Sequence, residues 1–147
     1  ALLGLAALAP LQAQTARQLA TFEVAELTIE TAAGKAHSFR VEIAETSDQR
    51  AQGLMFRREL APDAGMLFLF ERVEEHAMWM KDTFIPLDML FIDHAGRIVR
   101  IEERTVPHSL RAITSGGPVA AVLELNAGTA SRLAIGPGDR VIYPAFN

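Results

Sequence analysis

Two runs of strict apolar/polar alternation constrain the fold of this chain most. VAELTIET sets Val24, Leu27 and Ile29 as apolar points, HSFRVEIAE sets Phe39, Val41 and Ile43, and Ala33-Gly34-Lys35 lies between them. A period of two is that of a strand with one buried face, and two such runs around a short glycine turn predict a β-hairpin. His94-Ala95-Gly96 joins PLDMLFID to RIVRIEE as a second hairpin. The unbroken apolar run MLFLF, from Met66 to Phe70, predicts a strand buried on both faces. Further strands are expected over His76–Lys81, in VAAVLEL and in RVIY, the last entered through the turn Gly136-Pro137-Gly138-Asp139.

Helical signals are few. Thr46 or Ser47 is placed to cap a helix with Asp48 in its first turn, and Ala51, Leu54 and Met55 give its apolar face. Arg57 and Arg58 are expected in the last turn, where cations suit the helix dipole. A second short helix is expected in AGTASRLA, and residues 105–118, with Pro107, Gly116, Gly117 and Pro118, read as a long loop. Strands without a regular β-α alternation predict an α+β domain. It is β-rich, with a mostly antiparallel, curved or barrel-like sheet and one or two short helices.

Residues 1–13, ALLGLAALAPLQA, are uncharged and end in small residues, the pattern of a signal peptide; they read as a signal-peptide remnant of a truncated precursor. The stretch falls short of the ~20 apolar residues of a membrane span, so no stable span is expected in the mature chain. Residues 14–23 read as a linker and 24–147 as a single domain, exported to the periplasm or beyond. Residues 1 to about 22 are expected to make little contact with it. The chain has no cysteine, which removes disulfides, thiolate metal sites and cysteine nucleophiles. Its net charge is −4 and its longest basic run is the pair Arg57-Arg58, so no phosphate-neutralising surface for nucleic acid is expected.

The most distinctive wording lies in the middle: Arg50, then GLMFR (Gly53–Arg57), GMLFLF (Gly65–Phe70), MWMKDT (Met78–Thr83), IPLDMLFID (Ile85–Asp93) and Gly96, followed by LELNAG (Leu123–Gly128) and GDRV (Gly138–Val141). Together these motifs resemble the domain of unknown function 192 family, small bacterial and archaeal proteins often preceded by a signal peptide. The resemblance spans roughly residues 24–144. It implies a compact β-rich domain and no established reaction. The family's wording near residue 78 is closer to FWMKNT, so Met78 stands here in place of an aromatic and Asp82 in place of an amide.

Three constellations could carry chemistry. On a strand, His76, Met78 and Met80 would share one face, a soft set suited to Cu(I), although both methionines also suit a core. Lys81, Asp82 and Thr83 are followed six residues after Asp82 by Asp88, and two converging carboxylates could act as acid and base. Asp88 interrupts an apolar run, so it either faces solvent or is buried with partners. Arg50 and Arg57, seven apart, would share a helix face and either grip an anion or pair with acidic neighbours. Gly53 within that helix calls for a close approach by Trp79, by another strand or by a ligand. His108 and Ser109 lie in the long loop, without the G-x-S-x-G setting of a hydrolase.

No complete nucleophile–base set or nucleotide loop is present, and no cofactor is expected. The leading expectation is therefore a non-enzymatic periplasmic binding or interaction module. Its ligand-binding residues would be Arg50, Arg57, Trp79, Lys81, Asp82, Thr83 and Asp88, and its partner a small molecule or an envelope protein. The alternatives are a hydrolase or lyase using Asp82 and Asp88, and Cu(I) binding through His76, Met78 and Met80.

Overall fold

The computed structural model describes residues 18–146. The elements are β1 (Glu23–Glu30), β2 (Ala36–Ala44), α1 (Ser47–Gln52), β3 (Ala64–Met78), β4 (Leu87–Ile92), β5 (Ile98–Glu102), β6 (Ile113–Asn126), α2 (Thr129–Leu133) and β7 (Arg140–Ile142). The seven strands form one sheet in the order β5-β4-β6-β3-β2-β1-β7. Every pairing is antiparallel except β2–β3, whose parallel register requires the crossover that carries α1. The two end strands almost meet: Arg97 bridges Arg140, and the Val141 N–H donates to the Gly96 carbonyl at 2.7 Å. The β-rich, barrel-like architecture expected from the sequence is thus the observed one.

Alternation along the strands sorts the apolar residues into two cores. Leu27 and Ile29, Phe39, Val41 and Ile43, Leu67, Leu90 and Ile92, and Leu123 and Leu125 fill the inside of the barrel, with Ala130 and Ile135 around α2 packed among them. Met66, Phe68, Leu87, Met89, Phe91 and Val122 point outward instead. They are roofed by Leu54, Met80 and Ile85 from the connecting loops. Two-sided burial explains why β4 is buried at every position and why MLFLF lacks alternation.

Several local expectations change. The helix after Thr46 is capped as expected, by a reciprocal box in which Gln49 N–H donates to Thr46 Oγ1, but it ends at Gln52. Gly53 closes it with φ +49°, and a Cβ there would lie 3.0 Å from the Phe68 ring, so Phe68 on β3 is the close neighbour that demands glycine. Arg57 and Arg58 consequently lie in a loop, and Arg50 and Arg57 share no helix face. The strand expected over 76–81 is the far end of β3, which stops at Met78. The long loop expected over 105–118 is shorter, because β6 begins at Ile113 and runs through Gly116, Gly117 and Pro118.

The signal-peptide remnant falls outside the described residues. The described part of the expected linker is docked: Ala20 N–H donates to Gln52 Oε1 at 2.7 Å, Gln49 Nε2 donates to the Thr21 carbonyl at 2.9 Å, and Phe22 packs on the outer core. Among the described residues no helix is long and apolar enough to cross a membrane.

Candidate functional site

Three loops converge above the outer core, and backbone hydrogen bonds lock them together. Phe56 N–H donates to the Asp82 carbonyl at 2.9 Å, His108 N–H to the Thr83 carbonyl at 3.1 Å, and Met80 N–H to the Ser109 carbonyl at 3.0 Å. Phe56, Asp82 and His108 all hold positive φ, at 67°, 51° and 64°. A left-handed backbone costs an ordinary non-glycine residue such as Phe56 roughly 1–2 kcal/mol and Asp or His less, and such residues cluster where surrounding structure fixes a functional geometry. The cost is borne here by three residues in mutual contact through their loops.

The loops present aromatic rings to solvent. Phe56 is 50% exposed, Trp79 49% and Phe84 37%. Phe84 lies edge-on to Phe56 at 6.5 Å between centroids and 5.0 Å from the His108 ring. Lys81 Nζ sits 5.3 Å from the centroid of Trp79, within cation–π range. Beside these rings opens a cleft of about 560 Å³, within the size range of small-molecule sites. Leu19, Met55, Phe56 and Trp79 supply its apolar wall, and Asp48, Gln52, Lys81 and Asp82 its polar groups. The docked strand entry at residues 18–20 completes it.

The residues proposed from sequence divide between this cleft and structural duties. Trp79, Lys81 and Asp82 line the cleft. Thr83 is buried in the turn behind it, its hydroxyl donating to the Lys81 carbonyl at 3.0 Å. Arg50 ties α1 to β3: it donates to the carbonyl of Glu45 and, at 3.1 Å, to that of Leu69. Arg57 pairs with Glu42 at 2.9 Å.

Asp88 is fully buried on the barrel side of β4 and serves as an anchor. Its Oδ1 accepts from Arg104 N–H at 3.0 Å and Gly128 N–H at 3.2 Å, and its Oδ2 from Ala130 N–H at 2.9 Å. Three backbone donors satisfy the carboxylate and hold the start of α2 against the barrel end. Asp82 stands at the cleft on the outer side, so the two carboxylates occupy different surroundings.

His76, Met78 and Met80 are likewise separately engaged. The His76 ring stacks on Phe70 at 3.7 Å and its Nε2 lies 2.9 Å from the Arg72 carbonyl. Met80 is fully buried, its sulfur accepting from the Thr105 hydroxyl at 3.1 Å, while Met78 packs at the edge of the outer core. Among the described residues no group of three or more His, Cys, Asp or Glu is placed to hold a metal.

One residue escaped the sequence reading. Glu124 on β6 is only 4% exposed. Its register partners are Met66 on β3 and Met89 on β4, so two buried methionines flank it on the outer face. Burial alone pushes its carboxyl up to about 8, since the charged form loses hydration that nothing replaces. The signal was present as a lone acid in the apolar run VAAVLEL, the same signal that singled out Asp88.

Two solved structures are similar throughout. A Sinorhizobium meliloti 1021 protein described as a candidate transcription regulator is 49% identical, with a TM-score of 0.85 over 86% of this chain and 98% of its own. A protein of unknown function from Novosphingobium aromaticivorans DSM 12444 is 41% identical, with a TM-score of 0.79 over 82% of this chain and 85% of its own. No functionally curated protein matches the chain. Matched over residues 28–143, the chain belongs to DUF192, the family described as Uncharacterized ACR.

Proposed function

We propose that this domain is a non-catalytic binding module whose ligand sits in the cleft beside Trp79. The observation that carries the reading is the pairing of Phe56 and Asp82, both left-handed and joined by a 2.9 Å backbone bond. That pairing sets Phe56 beside Trp79 and leaves both rings half-exposed next to Lys81, Asp82 and Gln52. Aromatic faces with a few placed polar groups suit a compact small molecule with one flat apolar face and a hydrogen-bonding edge, as in a saccharide ring or an aromatic acid.

The module would work outside the cytoplasm, a reading supported by the apolar, uncharged sequence of residues 1–13. The regulatory role given for the Sinorhizobium protein is not carried over. Nucleic-acid binding calls for a phosphate-neutralising surface, and the net charge here is −4.

Trp79 is the single tryptophan of the chain, so intrinsic fluorescence reports on the cleft directly. Titration with a panel of mono- and disaccharides and aromatic acids should give a saturable change in that signal for at least one class. A ligand at a hundredfold excess over its Kd should also stabilise the fold by about 2.7 kcal/mol. The Phe56→Ala variant, folded and with Trp79 intact, should lose the response. No saturable change from any class, or an unaltered response in Phe56→Ala, removes the cleft as the site.

A further inference from the structure

A second pocket opens at the opposite strand ends from the cleft. The cleft lies past the ends of β2 and β3, beside α1 and Trp79, whereas this pocket lies at the starts of the same two strands. Its volume is about 320 Å³, at the lower end of the range for small-molecule sites. β2 and β3 run parallel there, and Arg40 N–H donates to the Asp63 carbonyl at 2.9 Å. That bond brings Pro62 and Asp63 alongside His37 and Phe39. Arg132 and Leu133, at the end of α2, complete the pocket.

The α2 wall is fixed in place. The Asp88 carboxylate accepts from Gly128 N–H at 3.2 Å and from Ala130 N–H at 2.9 Å, and Leu133 packs against the inner core. Arg132 is thereby carried to the pocket on an anchored helix. The buried carboxylate that the sequence singled out thus positions a wall of this pocket without facing a ligand.

Three of the polar side chains lining the pocket are not spent on the fold. Arg132 and Asp63 form no ion pair among the described residues, with each other or with a third group. His37 shares the inward face of β2 with Phe39, and its Nε2 is buried without a hydrogen-bond partner. A buried polar atom left unpaired is costly to a fold, so His37 is poorly explained as a structural residue. Phe39, Pro62 and Leu133 supply the apolar surface.

We infer that this pocket binds a small zwitterion of the α-amino-acid type. Its carboxylate would meet Arg132 and His37, its ammonium Asp63, and an apolar side chain would lie against Phe39, Pro62 and Leu133. A guanidinium takes a carboxylate through two parallel N–H bonds, and an aspartate accepts from an ammonium. A ligand with a single charge would satisfy one of the two groups and face a like charge on the other, so the pair selects for both charges in one small molecule. The site does not rest on what the Trp79 cleft binds.

The test is an amide NMR titration with L-leucine, with isocaproate, which lacks its ammonium, and with isoamylamine, which lacks its carboxylate. Leucine should give saturable shifts at the N–H groups of His37, Phe39 and Leu133, and each analogue should bind at least about tenfold more weakly. Arg132→Gln and Asp63→Asn alter exposed side chains, so both variants should fold, and each should weaken leucine by about tenfold. Phe56→Ala should leave the leucine response unchanged, which separates failure here from failure of the cleft. The absence of saturable shifts at those amides with leucine overturns the inference. So does an analogue that binds as well as leucine, or undiminished leucine binding in either charge variant.

Discussion

Phe56 and Asp82 are joined by a 2.9 Å backbone hydrogen bond while both occupy the left-handed region. Phe56 is ill suited to that conformation and Asp82 tolerates it better, but no side-chain hydrogen bond to the Asp82 carboxylate supports it among the described residues. The loops therefore spend stability on a fixed presentation of the Phe56 ring and the Asp82 carboxylate at the cleft. The barrel supplies a rigid base for this, because β3, β4 and β6 are buried on both faces where the loops rest.

Replacing Asp82 by glycine should accordingly stabilise the protein. Glycine enters the left-handed region without the Cβ penalty, and a gain of about 0.5–1 kcal/mol is expected after its greater unfolded-state entropy is set against that relief. Urea melts of wild type and Asp82→Gly should show the midpoint rise. The same variant should weaken any ligand-induced change in Trp79 fluorescence, because it removes a polar group from the cleft. A fall in stability would mean that the side chain makes a compensating contact.

Asp88 should behave in the opposite way. Its carboxylate takes three backbone N–H donors in a fully buried position. Asp88→Ala leaves those donors without acceptors, each a penalty of about 1–3 kcal/mol before relaxation. A total loss of about 3–5 kcal/mol is expected, with the damage centred on α2 and the barrel end. Asp88→Asn keeps one oxygen acceptor and should lie between the two. Chemical denaturation measures both, and an Asp88→Ala variant within 1 kcal/mol of wild type would refute the anchoring role.

Gly53 offers a third check on the way α1 is fastened. A Cβ at this position meets the Phe68 ring at 3.0–3.2 Å, and the backbone is held at φ +49°. Gly53→Ala should therefore cost about 1–3 kcal/mol or more, combining a positive-φ backbone that alanine strongly disfavours with a crowded outer core. Because α1 forms one wall of the cleft, the substitution should also change the emission of Trp79 in the absence of ligand. Melts and emission spectra of the one variant test both statements.

The alternation in VAELTIET and HSFRVEIAE made the β1–β2 hairpin legible, because those strands bury one face and expose the other. MLFLF was legible as a strand for the converse reason, two buried faces. Helix α1 was read too long, since its apolar spacing through Leu54 and Met55 continues past Gly53, where the positive-φ backbone packed against Phe68 ends the helix. The start of β6 was hidden by Gly116, Gly117 and Pro118, residues that punctuate loops in general. They are tolerated here where β3 and β6 extend beyond their other partners, with register shifts in the ladder. Trp79, Lys81 and Asp82 were recognisable as a polar–aromatic cluster. Their union with Phe56 and Gln52 was not, because it depends on Phe56 adopting a conformation that its own residue type disfavours.

Glu124 yields the sharpest prediction on pH. Its carboxyl titrates at about 8 when folded, against an ordinary value of 4.5. Below pH 4.5 both states hold the proton and this group contributes no pH dependence. Between 4.5 and about 8 the folded state holds the proton that the unfolded state has lost, so stability must fall as pH rises. The slope attributable to this group approaches about 1.4 kcal/mol per unit within the window. Above 8 both states are ionised and the contribution is flat again. Glu124→Gln removes this term, so the difference in unfolding free energy between variant and wild type should grow from pH 5 to pH 8 in favour of the variant. Urea melts at unit pH steps measure that difference directly, and the comparison cancels the background of the other titrating groups. A difference constant across the window would show that the unfolded and folded carboxyls bind protons alike, and that the two methionines beside Glu124 leave it adequately hydrated.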